Sequence, residues 1–439
     1  LEPTNPKVNT QKPRLLVSTS TLPRFEEDPE PRFVIDLARA LADRFEITVL
    51  APSFPDAAAR ATLFGVDVIR YRYAPFKAWE QLAYPGGIMP RLQASPLNWL
   101  LVPGLLLGQA IALRRLLRKQ RFDLVHAHWT LPQGFIAATI PNSIRPPLVV
   151  TSHGGDVFTL GRGPLRRLIR HVLRRASAST VVSAELLEEC QQILAPLDTS
   201  SRLHHIPMGV DSEHFAQAAS NASRPTDMPS RGQVILFIGR LAPKKGVGVL
   251  LQALAEPGVE LSSAQLVVIG DGPMRDTWQA LARRLNLEQR VHFLGPRHHQ
   301  ALPAYLASAD VIALPSVHTE DGDKDGLPVT LMEAAACSVA AVASNLAGIP
   351  EFIEDGYNGL LVPPGDSRAL ASALTQLLSD PALRRACSKA ALATARKFDW
   401  SSIANRYAAV FYSVLAAQAP PASTVDTQHH INNGLDETR

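Results

Sequence analysis

Apolar runs too short for a helix, separated by longer amphipathic stretches, recur along almost the whole chain, and this alternation limits the fold more than any other feature. The runs are Arg14–Ser18, Ile47–Leu50, Val66–Tyr71, Asp123–Ala127, Val149–Ser152, Val234–Ile238, Leu266–Ile269, Val291–Leu294 and Val311–Leu314. Helical periodicity fills intervals at 32–44, 97–119, 163–176, 246–255, 273–285 and 300–308. A strand apolar on both faces must be covered on both, and an intervening helix returns the chain to a parallel neighbour. The pattern predicts an α/β protein with parallel sheets. A length of 439 residues exceeds one ordinary core. Ala, Ser, Asn, Pro and Asp displace periodicity between His214 and Arg231, so we expect a first domain at 14–215, a linker at 216–231 and a second domain at 232–400. Helices are expected at 366–379 and 381–397, a last one at 401–417, and a polar, disordered tail at 418–439.

Charge is uneven. Residues 1–215 hold 25 Lys/Arg against 19 Asp/Glu, a net of +6, and the remainder holds 19 against 21, a net of −2. A basic first half suits anionic partners. Part of that charge is a run of arginines, Arg162, Arg166, Arg167, Arg170, Arg174 and Arg175, on the helix at 163–176. The helix at 97–119 is the most apolar in the chain and ends in Arg114, Arg115, Arg118 and Lys119; Pro103, Gly104 and Gln109 interrupt it, which argues against a membrane span and leaves a core-facing or an interfacial helix. Cys190, Cys337 and Cys387 are far apart and odd in number, which favours a reducing compartment over a disulfide framework or structural zinc. The polar start of the chain shows no signal-peptide pattern.

The chemistry concentrates in Asp325-Gly326-Leu327-Pro328-Val329-Thr330-Leu331-Met332-Glu333. We expect a helix start here with a carboxylate at each end, a little over two turns apart and so on one side. Free N–H groups at a helix mouth bind phosphate, whereas carboxylates accept from hydroxyls flanking it, so the stretch suits a nucleotide sugar. A capped surface helix with two solvated acids is the alternative. Gly239-Arg240-Leu241 follows the first strand of the second domain and Lys245-Gly246 opens its first helix, placing two cations at a strand-to-helix junction. Gly270-Asp271-Gly272-Pro273 occupies the same position one unit later. Neither domain supplies a GxGxxG, so NAD is not expected. In the first domain, His153-Gly154-Gly155-Asp156 leaves the carboxyl end of a strand, where ligands bind in such sheets. His126 and His128 share a strand face, but no third ligand lies near them and no metal site is expected. The Pro-rich, acidic loop Thr19–Pro31 also sits where a first-strand loop faces a ligand.

Taken in order, Gly239-Arg240-Leu241 with Lys245-Gly246, Gly270–Pro273, Ser308-Ala309-Asp310, Pro315-Ser316, the acid-x7-Glu stretch and Gly348-Ile349-Pro350-Glu351 resemble glycosyltransferase family 4. Asp123–Trp129, His153–Asp156, Ile206–Asp211 and Glu320–Lys324 are similar to transferases that build bacterial exopolysaccharides. The resemblance implies a GT-B fold, with two Rossmann-like domains facing across a cleft and a last helix crossing back. It also implies retaining, metal-independent transfer with no cofactor besides the nucleotide-diphosphate sugar. Arg240 and Lys245 would hold the diphosphate, with Gly239 and the amides of Val329 and Thr330 beside it. Glu333 would hold the ribose, Asp325 the donor sugar, and His153 would approach that sugar from the first domain, with His126, His128 and Asp156 as acceptor-side candidates. The expected partners are a nucleotide sugar and a lipid-linked or glycan acceptor, with peripheral membrane contact through the basic first domain, no nucleic acid, and a location in the cytoplasm or at the inner face of the plasma membrane. Three departures stand out: Asp325 where the family has Glu, Ser338-Val339-Ala340-Ala341 where it has Gly-x-Pro-Val, and a first-strand loop without glycine. A nucleotide-sugar epimerase, or a degenerate binding protein without turnover, is the competing expectation.

Overall fold

The computed structural model describes residues 11–418, apart from 29, 85, 160, 162, 198–201, 257–260, 262 and 320–325. The described residues form two sheets. The first has the order β3-β4-β2-β1-β5-β6-β7-β8, built from β1 Arg14–Ser18, β2 Glu46–Pro52, β3 Arg60–Leu63, β4 Val66–Tyr71, β5 Leu124–His128, β6 Leu148–Ser152, β7 Ala178–Val181 and β8 Leu203–His205. All its pairings are parallel except β3 with β4. The second is wholly parallel, in the order β11-β10-β9-β12-β13-β14. Its strands are β9 Val234–Ile238, β10 Gln265–Ile269, β11 Val291–Gly295, β12 Val311–Leu314, β13 Ala340–Ser344 and β14 Leu360–Val362. Side-chain alternation sends Leu15, Val17, Val49, Leu124 and Val149 into one core and Leu16, Leu50, Val125 and Val150 into another on the opposite face. Both faces are therefore dry, as the apolar runs require.

The chain passes between the two sheets twice at one place. Val210 donates its N–H to Phe398 O and accepts from Trp400 N–H, each at 3.0 Å. Asp399 accepts from the Ser212 N–H and hydroxyl at 3.2 and 2.8 Å and caps the last helix through Ser401 N–H. Burial alone would raise the Asp399 pKa, but these hydrogen bonds outweigh it and hold it low. The Trp400–Ala416 helix then returns to the first sheet, where Phe411 packs on Phe45 and on His126.

Two local expectations are corrected. The region taken as linker contains a helix, Ser212–Ser220, capped by Asp211 and packed on the second domain. Its buried residues are just Ser212 and Phe215, so it carries almost no apolar stripe to signal it. The helix expected to face phosphate begins at Val329, with Pro328 extended at φ −65°, ψ 125° and Gly326–Pro328 non-helical. Helical spacing therefore does not relate Asp325 to Glu333, and Asp325 itself lies outside the described residues. The turn behind this helix holds Ser338 at φ 58°, a left-handed conformation that an L-residue adopts at a cost of roughly 1–2 kcal/mol. The family's glycine would fit there without strain.

Candidate active site

On the second domain, the carboxyl end of β9 runs into Gly239-Arg240-Leu241, and the Gly-Asp-Gly-Pro turn braces this loop from behind. Leu241 N–H donates to Asp271 O and Met274 N–H to Leu241 O, both at 2.9 Å. Gly270 has φ +134°, and a Cβ there would lie 1.9 Å from Gly239 O, so only glycine permits the crossing. The loop is thereby fixed with Arg240 turned to the first domain, where its guanidinium donates to Gly86 O at 3.0 Å. Burial lowers the Arg240 pKa and the charge of Glu30 counteracts it. Lys245 lies over the same loop, its Cε 3.9 Å from where a Gly239 Cβ would be. Arg240 and Lys245 thus lie on the one connection between β9 and the helix that follows it.

Glu333 is 6 % exposed and accepts from or pairs with His299, Nε2 to Oε1 at 2.8 Å. Burial would lower the His299 pKa, but Glu333 outweighs it and raises it. Val329 and Thr330 occupy the first turn of the same helix, whose start has no side-chain cap, so their amides have no intrahelical partner. Arg32 and Asp36 of the first domain also act on His299 electrostatically. They lie at the start of the Phe33–Leu41 helix, whose Phe33 ring sits 5.1 Å from that of His153. One short helix therefore links the Glu333 side to the His153 side.

On the first domain, His126, His128 and His153 form one cluster at the carboxyl ends of β5 and β6. His128 Nδ1 and His153 Nε2 share a proton at 2.9 Å, and His126 Nε2 hydrogen-bonds with Thr151 Oγ1 at 2.7 Å. Burial depresses all three, His126 and His153 to about 3 and His128 well below its ordinary value, so all are neutral near pH 7. His126 and His128 are each 1 % exposed, and His126 packs against Tyr407 and Phe411 of the crossing helix. They lie beneath the cleft and do not face it. Asp156 is corrected in the same way: buried, it accepts from the N–H groups of Thr130, His153 and Gly154 at 2.6 to 3.1 Å and so shapes the turn that carries His153. The strand-end rule placed these residues in the right region, but could not tell a side chain aimed outward from one that holds its own turn. Among the described residues no three His, Cys, Asp or Glu are grouped to hold a metal.

The family description "Glycosyl transferases group 1" matches residues 220–394 and "Glycosyltransferase Family 4" matches 31–214. The chain is 30% identical over 396 residues to the phosphatidyl-myo-inositol mannosyltransferase of Mycobacterium leprae, across 87% of this chain and 92% of that protein. The chain is a family 4 glycosyltransferase. This glycosyltransferase is also 30% identical over 282 residues to the GDP-mannose-dependent alpha-(1-6)-phosphatidylinositol monomannoside mannosyltransferase of Mycolicibacterium smegmatis, across 64% of this chain and 72% of that one. Its fold matches an alpha,alpha-trehalose-phosphate synthase (UDP-forming) from Burkholderia vietnamiensis with a TM-score of 0.76 at 18% identity, over 93% and 99% of the two chains. The fold is GT-B. Sequence reasoning marked the Thr19–Pro31 loop but did not single out Glu30 within it, and it missed Gly86 and His299; these are the residues that Arg240 and Glu333 meet. Their partners lie far along the chain, and no local pattern marks them.

Proposed function

We propose that this glycosyltransferase moves a hexosyl group from a UDP- or GDP-sugar to a lipid-linked glycan, in the synthesis of an exopolysaccharide or other cell-surface polysaccharide, with retention at the transferred carbon. The observation that carries the donor reading is the arrangement of the second domain. Two cations share the connection after β9 and an uncapped helix start follows the adjacent parallel strand β12, with a buried carboxylate one turn deeper. Cations and amides suit the diphosphate, and the carboxylate suits ribose hydroxyls. The bond from the sugar's anomeric carbon to the phosphate breaks as the bond to the acceptor oxygen forms on the same face. The acceptor proton passes to the leaving phosphate oxygen, and Arg240 and Lys245 stabilise the charge left behind. Neutral His153 would donate to, or accept from, a sugar hydroxyl without adding charge. A lipid-linked acceptor is supported by the phosphatidylinositol acceptors that the names of the two relatives carry.

Thermal unfolding with UDP, GDP, ADP and NAD, for the native protein and Arg240→Ala, tests the donor class. A ligand at about 100 times its Kd adds roughly 2.7 kcal/mol. A shift with UDP or GDP that Arg240→Ala abolishes is the expected result. No shift with either nucleotide, or a shift that survives the substitution, overturns the donor assignment.

A further inference from the structure

The segment Pro96–Lys119 has 24 residues, and an 18-residue window within it has a mean hydropathy of 1.5, enough by length and composition to cross a membrane. The structure gives its two faces different roles. Leu105, Gln109, Leu113 and Leu116 point inward at intervals of three and four residues and are buried on the first sheet. Gly104 and Gly108 lie so close to the carbonyls of Tyr73 and Arg72 that a Cβ would clash at 2.2 and 2.4 Å. The helix is therefore fastened to the sheet and lies along it. Its outer face carries Leu97, Trp99, Leu100, Leu107 and Ile111, with Leu97 73 % and Leu100 77 % exposed. Beyond Ile111 the same face becomes Arg114, Arg115 and Arg118. Phe76 and Trp79, 62 % and 54 % exposed, extend the apolar surface from the loop that follows Tyr73.

Charge identifies what covers this surface. Between Tyr71 and Asp123 the sequence has one acid, Glu80. It is fully buried and bound to Arg72 at 2.6 Å. The Leu165–Arg175 helix of the same domain also holds no acid and exposes Arg167, Arg174 and Arg175. A second copy of the chain would set cation against cation, which disfavours self-association. We propose that this face docks on an anionic lipid bilayer, with the apolar part of the helix in the interface and its basic end among the lipid phosphates. The apolar end adjoins the carboxyl end of β4 through Tyr73, on the cleft side of the sheet. A lipid-linked acceptor would then reach the cleft from the bilayer, and in this respect the inference rests on the acceptor proposed above.

Flotation of the full chain with vesicles of phosphatidylcholine, with and without phosphatidylglycerol, tests the surface. The protein is expected to float with the anionic vesicles, to stay behind with phosphatidylcholine alone, and to be released by salt. Leu100→Glu with Leu107→Glu should abolish flotation. Arg114→Ser with Arg118→Ser should weaken it roughly fivefold per charge removed. All four side chains are exposed, so the UDP or GDP thermal shift should be unchanged. Failure of the native protein to float, flotation indifferent to these substitutions, or a dimer that the leucine variant converts to monomer without loss of flotation, would overturn the proposal. An intact nucleotide shift without flotation breaks this inference alone; flotation without a nucleotide shift breaks the donor assignment alone.

Discussion

The two halves of the site are finished to different degrees. On the first domain the cluster beneath the cleft is satisfied internally: three neutral histidines hydrogen-bond to each other or to Thr151, and Asp156 accepts from three backbone amides. On the second domain the groups with chemistry to offer rest on partners that a ligand could replace. Arg240 rests on Gly86 O and Glu333 on His299. The first half supplies a fixed shape, and the second supplies charge held ready for exchange. The contrast follows from desolvation. A neutral imidazole can be buried at small cost once hydrogen-bonded, whereas a guanidinium or carboxylate needs a charged or strongly polar partner at all times.

The most severe test of that contrast is Glu333→Ala. If Glu333 exchanges His299 for two ribose hydroxyls, its loss removes two hydrogen bonds to a charged acceptor, about 4 kcal/mol or roughly a thousandfold in kcat/KM. Stability should change little, because His299 keeps some access to water. Transfer at the native rate would show that Glu333 is merely the partner of His299.

Acid tests the other half. The pKa values of His126 and His153 in the fold, about 3, lie below the ordinary 6.5, so the unfolded chain binds protons that the native cluster refuses. Stability is then complete above pH 6.5 and falls as pH drops from 6.5 towards 3, by about 1.4 kcal/mol per pH unit for each histidine. His126→Phe should flatten that slope in pH-dependent unfolding. A slope that does not respond would mean that the cluster accepts protons in place and is not the sealed element described above.

How far the sequence could anticipate this site depended on the range of the interaction. Apolar runs located nine of the strands because burial on both faces acts on consecutive residues, and β12 falls on the run that was expected, Val311–Leu314. The short antiparallel β3, with Leu63 its one buried residue, left no such run. The unassigned helix Ala184–Leu194 did carry a local signal, a Ser183 cap ahead of an amphipathic stretch. Arg240, Lys245 and Glu333 were legible because motif spacing fixes them on one loop and one helix. Exposure was not legible: the 97–119 pattern fits a helix facing the core equally well, and only its glycine-lined inner face shows that Leu100 and Leu107 point away from the sheet. Nor does the run of arginines on the 163–176 helix show which of them are engaged: Arg166 pairs with Glu189 at 2.7 Å and Arg170 donates to Ala195 O.

The smallest effect bears directly on where the halves touch. In place of the family's glycines, the first-strand loop holds Glu30, whose Oε1 accepts from Gly86 N–H at 2.8 Å while Oε2 is buried without a hydrogen bond. Burial raises its pKa, the Gly86 hydrogen bond and Arg240 pull it down, and burial prevails. A carboxyl raised in the fold contributes stability below its unfolded pKa and loses it as pH climbs through the folded value, so ionised Glu30 is a cost at neutral pH. Its charge also faces Arg240, where donor phosphates would approach. Glu30→Gln keeps the acceptor for Gly86 and removes the charge. We expect a higher Tm at pH 7 and a KM for the donor about fivefold lower, equivalent to roughly 1 kcal/mol, with kcat little changed. A higher KM would reverse the assignment: Glu30 would then be accepting from the donor itself, and the first domain would contribute charge to the site as well as shape.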